Sequence, residues 1–287
     1  MANNNDIPDL IVFGKGRGDF KLPCGYVDAA GKVFNRVYLR EMTGVEDDIL
    51  DDDELNVSER MTKVISNCIE KLASGSTDGP SVIEDKAVIT AAVSDNLKAG
   101  LPFSIPDRMA CLLFLRRLSA GDIYKFDRKC PECGKISKGK EVDLSSLVVS
   151  YCKDPTKRKV KVKLPRSGKF AVLKVLSAAG ERRISEMRPT MKDVKSAAIL
   201  ARLESLDERP LSGNDEVDMG VVKALPLADR RALIGTFNAM EGTIETEIEV
   251  KCASNACGTE FKFDLDLGQV FFSNPERETT SDDLVWM

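Results

Sequence analysis

The 287-residue sequence contains no histidine. That removes the familiar catalytic triads, histidine metal ligands and the commonest side chain for proton transfer near neutral pH. Aromatic residues are scarce at 6%, with a single tryptophan, and they do not form the stacking platform that single-stranded nucleic acids need. No apolar run approaches the roughly 20 residues of a membrane-spanning helix. The opening Met1-Ala2-Asn3-Asn4-Asn5-Asp6 lacks the basic and apolar regions of a secretory signal. Positive charge is not in excess either: 42 basic residues face 46 acidic ones, for a net charge of −4, which argues against a general polyanion binder. What remains is a chain long enough for one large or two small domains with sizeable cores.

Cysteine is the residue type that carries chemistry. Four of the eight fall into two close pairs, Cys130-Pro131-Glu132-Cys133-Gly134 and Cys252-Ala253-Ser254-Asn255-Ala256-Cys257-Gly258. Two thiolates so spaced can grip a metal ion from one side of a tight turn, and the glycine that follows lets the backbone fold back towards the sulfurs. The flanks alternate apolar and polar residues: Ile123–Asp127 enters the first knuckle, Ile136–Leu144 leaves it, Ile244–Val250 enters the second and Phe261–Leu265 leaves it. Each half reads as strand, knuckle, strand. The expectation is a structural Zn2+ held by Cys130, Cys133, Cys252 and Cys257, with 118 residues separating Cys133 from Cys252. Four protein sulfurs leave no position for water or substrate, so such a metal is a staple. Four buried free thiols are the alternative. A thioredoxin-like redox pair would need a helix after the first knuckle, where two glycines and polar residues stand instead. Cys24, Cys68, Cys111 and Cys152 are irregularly spaced, and the absence of an export signal suits a reducing compartment.

In chain order, residues 1–19 read as an extended arm. Its Gly14-Lys15-Gly16-Arg17-Gly18-Asp19 has no Walker spacing, and the Arg17-Gly18-Asp19 tripeptide is a common chance match. Phe20-Lys21-Leu22-Pro23 opens a hairpin that turns near Asp28–Gly31 and returns through Val33–Leu39. Thr43 caps a helix, and Asp51–Glu54 reads as a solvated surface lacking the glycine and ligand spacing of a calcium loop. Ser58 is expected to cap a helix running through Leu72, residues 81–97 lean to helix, and Ser104-Ile105-Pro106-Asp107 starts a helix that stops at Gly121. Arg158–Leu164 and Lys169–Leu176 form a second hairpin with a lysine-rich face, read as a protected edge ahead of the alternative, a surface for an acidic partner or phosphate. Residues 178–240 read as helical, with a helix capped by Thr190 running through Leu203. The match of Leu22-Pro23 with Leu164-Pro165, and of Val37-Tyr38-Leu39 with Ala171-Val172-Leu173, suggests two hairpin-plus-helix halves, each tied to one part of the ribbon. The fold class expected is α+β: β-hairpins and a discontinuous four-Cys zinc ribbon with helical insertions. Its regions are an arm at 1–19, a hairpin-plus-helix region at 20–122, ribbon halves at 123–150 and 241–268, an inserted hairpin and helical region at 151–240, and an acidic tail at 269–287.

The Leu22-Pro23 hairpin, the segment Val37-Tyr38-Leu39-Arg40-Glu41-Met42-Thr43-Gly44-Val45-Glu46-Asp47 and the Cys130–Gly134 knuckle with its late partner together resemble the baseplate hub subunits and hub assembly proteins of contractile-tailed bacteriophages. The likeness covers residues 18–150 and, more loosely, the second ribbon half. It implies a non-enzymatic protein of the virion tail, present in the host cytoplasm during assembly, whose partners are other baseplate or tail proteins or copies of itself. An assembly chaperone that leaves the finished particle is a second reading. A nucleic-acid-binding zinc ribbon is a third, prompted by Lys125, Arg128, Lys129, Lys135, Lys138 and Lys140 around the first knuckle and opposed by Glu245, Glu247, Glu249 and Glu260 around the second. Neither a nucleic acid nor a membrane is an expected partner.

Overall fold

Strand β1 (Arg17–Val27) starts the fold by pairing antiparallel with β2 (Val33–Arg40). Pro23 has no N–H for the ladder, and the register shifts between Lys21 and Tyr26 around a bulge. Gly25 sits there at φ +81°, and a Cβ would lie 2.5 Å from the Phe34 carbonyl oxygen, so only glycine fits. The turn closes as expected with Gly31 N–H donating to Asp28 O. Residues 17–75, 81–187 and 193–265 are described by this computed structural model. Within them, Arg17–Asp19 belong to β1 and not to an extended arm, with Asp19 opposite Tyr38 and ion-paired to Arg36 at 2.7 Å. The rest of the expected arm, Thr190, and residues 266–287 lie outside the described residues.

Helix α1 (Gly44–Leu50) is capped by Thr43 in a reciprocal box with Glu46. Helix α2 (Val57–Cys68) differs from expectation at both ends. Its cap is Asn56, boxed with Glu59, while the Ser58 hydroxyl donates to Glu181. It also stops at Cys68, because Ile69–Ala73 becomes strand β3 on the open edge of β2. The apolar spacing of Ile69 and Leu72 extends the α2 stripe, but the main-chain bonds offered by β2 decide the conformation. Strand β4 (Val82–Ile83), α3 (Lys86–Ser94) and α4 (Ile105–Ala120) complete this half. Ser104 and Asp107 cap α4 reciprocally, and Gly121 ends it at φ +85°.

After α4 come the hairpin of β5 (Ile123–Lys129) and β6 (Ile136–Asp143), then β7 (Val149–Ser150). The same programme then repeats. Strands β8 (Lys159–Lys163) and β9 (Phe170–Lys174) form a hairpin, followed by α5 (Ala178–Met187), α6 (Val194–Leu200), β10 (Leu203–Leu206), β11 (Arg209–Pro210), α7 (Asp215–Lys223) and α8 (Leu227–Glu241). Residues 178–240 are therefore not wholly helical: Leu203 opens β10, and β10 and β11 extend the second sheet. Short β12 (Thr243–Ile244) pairs with β7, and β13 (Glu247–Lys251) pairs with β14 (Glu260–Asp264).

The two halves share more than element order. Both sheets are four-stranded and antiparallel, ordered β1-β2-β3-β4 and β8-β9-β10-β11. Val37 and Leu39 face Leu72 and Ile69, as Ala171 and Leu173 face Leu206 and Leu203, and each ladder breaks register at the equivalent step. The Leu-Pro turns are held alike. Asp107 Oδ1 accepts from the amides of Cys24 (2.7 Å) and Gly25 (2.9 Å). Asp229 accepts from Arg166 (2.7 Å, Oδ1) and Ser167 (3.0 Å, Oδ2). The next residue also matches: Arg108 Nη1 donates to Val93 O at 2.8 Å and Arg230 Nη1 to Val222 O at 3.1 Å, each tying the last helix of its half to the one before. The chain is a tandem structural repeat, and the region between the knuckles is the second unit. The larger core lies in the first half around Leu22, Leu39, Ile65, Leu113 and Leu115, reaching Leu144, Ile244 and Leu265 of the ribbon segments. A smaller one in the second half is built on Leu173, Leu200, Val222 and Leu233.

Candidate metal centre

Each repeat delivers its knuckle in the same way. Asp107 precedes Cys130 by as many residues as Asp229 precedes Cys252, so the last helix of each unit hands the chain into a knuckle at a common distance. At the tips, Cys130 N–H donates to Lys135 O (2.9 Å) and Cys252 N–H to Thr259 O (2.9 Å), closing each loop at its base. The turn-back falls on Gly134 (φ +72°) and Gly258 (φ +61°), whose amides donate to Cys130 O and Ser254 O.

The four sulfurs converge. Cys130 Sγ lies 3.9 Å from Cys257 Sγ and Cys133 Sγ 3.6 Å from Cys252 Sγ, and all four are within 4.8 Å of one another. A disulfide needs about 2.05 Å, so these are separate thiols. Tetrahedral thiolates at about 2.3 Å from a metal sit about 3.8 Å apart, close to the separation of the Cys130–Cys257 and Cys133–Cys252 pairs. Each close contact joins a sulfur of one knuckle to a sulfur of the other, so an ion here would couple the two units. Among the described residues this is the group of cysteine and acidic side chains that could hold a metal ion.

The surroundings act oppositely on two of the thiols: Cys257 is held low, whereas Cys252, against an amide aimed at its sulfur, is pushed up to about 11 by burial and the neighbouring thiols. Ser254 N–H donates to Cys252 Sγ at 3.3 Å. The Thr259 hydroxyl lies 3.1 Å from Cys257 Sγ and, with the Thr259 amide, holds that thiol down at about 7. Cys130 and Cys252 are buried, Cys257 is half-buried and Cys133 is exposed. The two hairpins are also clamped without a metal. Ala253 N–H donates to the fully buried Ser137 hydroxyl at 3.0 Å. Phe126 and Phe263 meet at 4.9 Å between ring centroids, with the Arg128 guanidinium 4.1 Å from the Phe263 ring.

All four cysteines singled out from sequence are thus brought together. Ser137, Thr259 and the Phe126–Phe263 contact were missed, because nothing in their spacing marks them. The Asp-Arg dipeptides at 107–108 and 229–230, equally far ahead of their knuckles, were a legible signal of duplication. The remaining cysteines lie elsewhere. Burial pushes Cys68 up to about 12 and Cys111 well above its ordinary value. Cys24 Sγ donates to Glu241 O at 3.2 Å, and the mutual influence of the Cys24 and Cys152 thiols raises Cys24 and lowers Cys152. The expected lysine edge is present: β8 is the outer strand of its sheet, with Lys159 and Lys161 paired to Glu204 and Glu208. No protein-family model, curated protein or solved structure matches this chain.

Proposed function

We propose that this protein is a structural component of a contractile phage tail baseplate, its two repeat units riveted by a zinc ion, and that it binds neighbouring hub or tail subunits. The observation that carries the structural role is the four-sulfur cluster contributed half by each unit. A site that spends all its ligands on protein sulfur offers no coordination position to a reactant, which suits a staple. A structural zinc contributes on the order of 10 kcal/mol to folding. Tetrahedral sulfur sites take zinc or iron, and a closed site with a structural role suits the redox-silent ion. The placement in a baseplate is supported by the sequence likeness of residues 18–150 and of the knuckles.

Elemental analysis of the purified protein tests the rivet, with one zinc per chain expected; iron or no metal rejects it. Quantitative mass spectrometry of purified particles tests the placement. Near-stoichiometric copies relative to known baseplate subunits support a permanent component, whereas absence from particles but presence in assembly intermediates supports the chaperone reading.

A further inference from the structure

The repeat shows one corner that the first unit covers and the second leaves bare. In the first unit the linker between α3 and α4 carries Phe103 over α3 and packs Leu97 against the first core. Phe103 is fully buried and its amide donates to Ala92 O at 3.0 Å, and Leu101 pairs with Val27 at the outer edge of β1. The start of α4 is covered as well. Ile105 N–H donates to Leu176 O at 2.9 Å, and Glu181 of α5 reaches the Arg108 guanidinium at 3.2 Å. In the second unit α7 runs into α8 through residues 224–226 alone, without such a linker, and no counterpart of α5 follows among the described residues.

The consequence appears at four matched positions. Val88, Ala92, Ile105 and Arg108 are half-buried, fully buried, half-buried and buried. Their equivalents are Val217 at 55% exposure, Val221 at 39%, Leu227 at 63%, and a half-buried Arg230. Arg230 donates to Val222 O and the Ser196 hydroxyl, and no carboxylate among the described residues pairs with it. The surface thus asks for an apolar, partly aromatic plug with a carboxylate beside it, the chemistry that Leu101-Pro102-Phe103 and Glu181 supply in the first unit.

We propose that this α7–α8 corner is a docking face, and that its occupant is the stretch Asp282-Asp283-Leu284-Val285-Trp286-Met287 of the same chain. That stretch sets two carboxylates directly before four apolar residues. Charge complementarity places the acids at Arg230 and the apolar residues over Val217, Val221 and Leu227. Reach is no obstacle. From Leu265 to Asp282 the chain spans up to roughly 55 Å when extended, against a radius of gyration of about 19 Å for a compact chain of this length.

Trp286 is the sole tryptophan, so its emission reports the docking directly. In the intact protein it is expected blue-shifted relative to a free peptide of residues 276–287, and independent of protein concentration. The double variant Val221→Asp/Leu227→Asp, with unchanged circular dichroism and metal content, should shift emission to that of the peptide. Val57→Asp, at an exposed valine of the first unit, should leave it in place. Peptide-like emission in the parent protein, or an emission that the double variant does not move, overturns the proposal. A blue shift that disappears on dilution also overturns it, since a second copy would then be supplying the segment.

Discussion

Single side chains carry much of this fold through reciprocal satisfaction of buried groups. Asp107 accepts from the amides of Cys24, Gly25 and Ser104 and from the Ser104 hydroxyl, all within 2.7–2.9 Å. Asp107→Ala strands three buried amides at once, and a loss on the order of 3 kcal/mol is expected in denaturant unfolding. The Arg202–Glu241 pair is bidentate at 2.7 Å on both bonds and buried. Removing Arg202 leaves Glu241 unpaired, so Arg202→Ala is expected to cost about 3–5 kcal/mol. Glu46 is bonded by Arg40 at 2.9 and 2.7 Å, and that pairing, with Thr43, holds its carboxyl at about 2. A carboxylate depressed on folding stabilises the protein above its ordinary value near 4.5, and the stabilisation is lost as pH falls towards 2. The thermal midpoints of the parent and Glu46→Gln should therefore differ at neutral pH and converge as pH falls from about 4.5 to 2.

Among the elements, the ribbon hairpins and the β8 edge have opposite vulnerabilities. Strands β5–β6 and β13–β14 are isolated two-stranded ladders, a form that is marginal without further support. Their support is the sulfur cluster, the Ser137–Ala253 bond and the Phe126–Phe263 contact. Cys130→Ser or Cys257→Ser is expected to release the metal and to speed amide exchange in both hairpins together, while β1–β3 keep their protection. Loss of protection in one hairpin alone would contradict a shared ion. Strand β8 shows an open edge whose alternating Lys159, Lys161 and Lys163 discourage pairing with other chains. Replacing Lys161 and Lys163 by valine should raise light scattering on concentration, with little change in monomer stability.

The whole molecule is a duplicated unit whose copies have diverged in how well they are covered. The first unit buries the larger apolar cluster and is sealed by the 95–103 linker and by α5, whereas the second has a smaller core and a bare α7–α8 corner. Burial is the main favourable term in folding, so the second unit is expected to open first. Hydrogen exchange should find the slowest amides in β2 and α4 and faster ones in β9 and α8. Equal protection in the two would contradict this. The four-sulfur cluster lies where the two knuckles meet, so chelating an ion held there should lower the cooperativity of unfolding as well as the midpoint.

The sequence by itself determined which four cysteines would converge and the local frame of the site. Cysteines at short spacing, each pair followed by glycine and flanked by alternating strands, state their chemistry through backbone geometry that needs no distant partner. Caps such as Thr43 and Ser104 were legible for the same reason, since a cap bonds to amides within one turn. The Leu-Pro match also pointed to duplication, although residues 151–240 then read as an insert and not as a second unit. Only the tertiary structure decided the rest. Ile69–Ala73 left the helix because β2 had an open edge, and Leu203 opened β10 against β9 in the matching register. The Ser137 and Phe263 contacts, and the contrast between Ala92 and Val221, depend on what packs over a position from far along the chain, and local spacing holds no record of that.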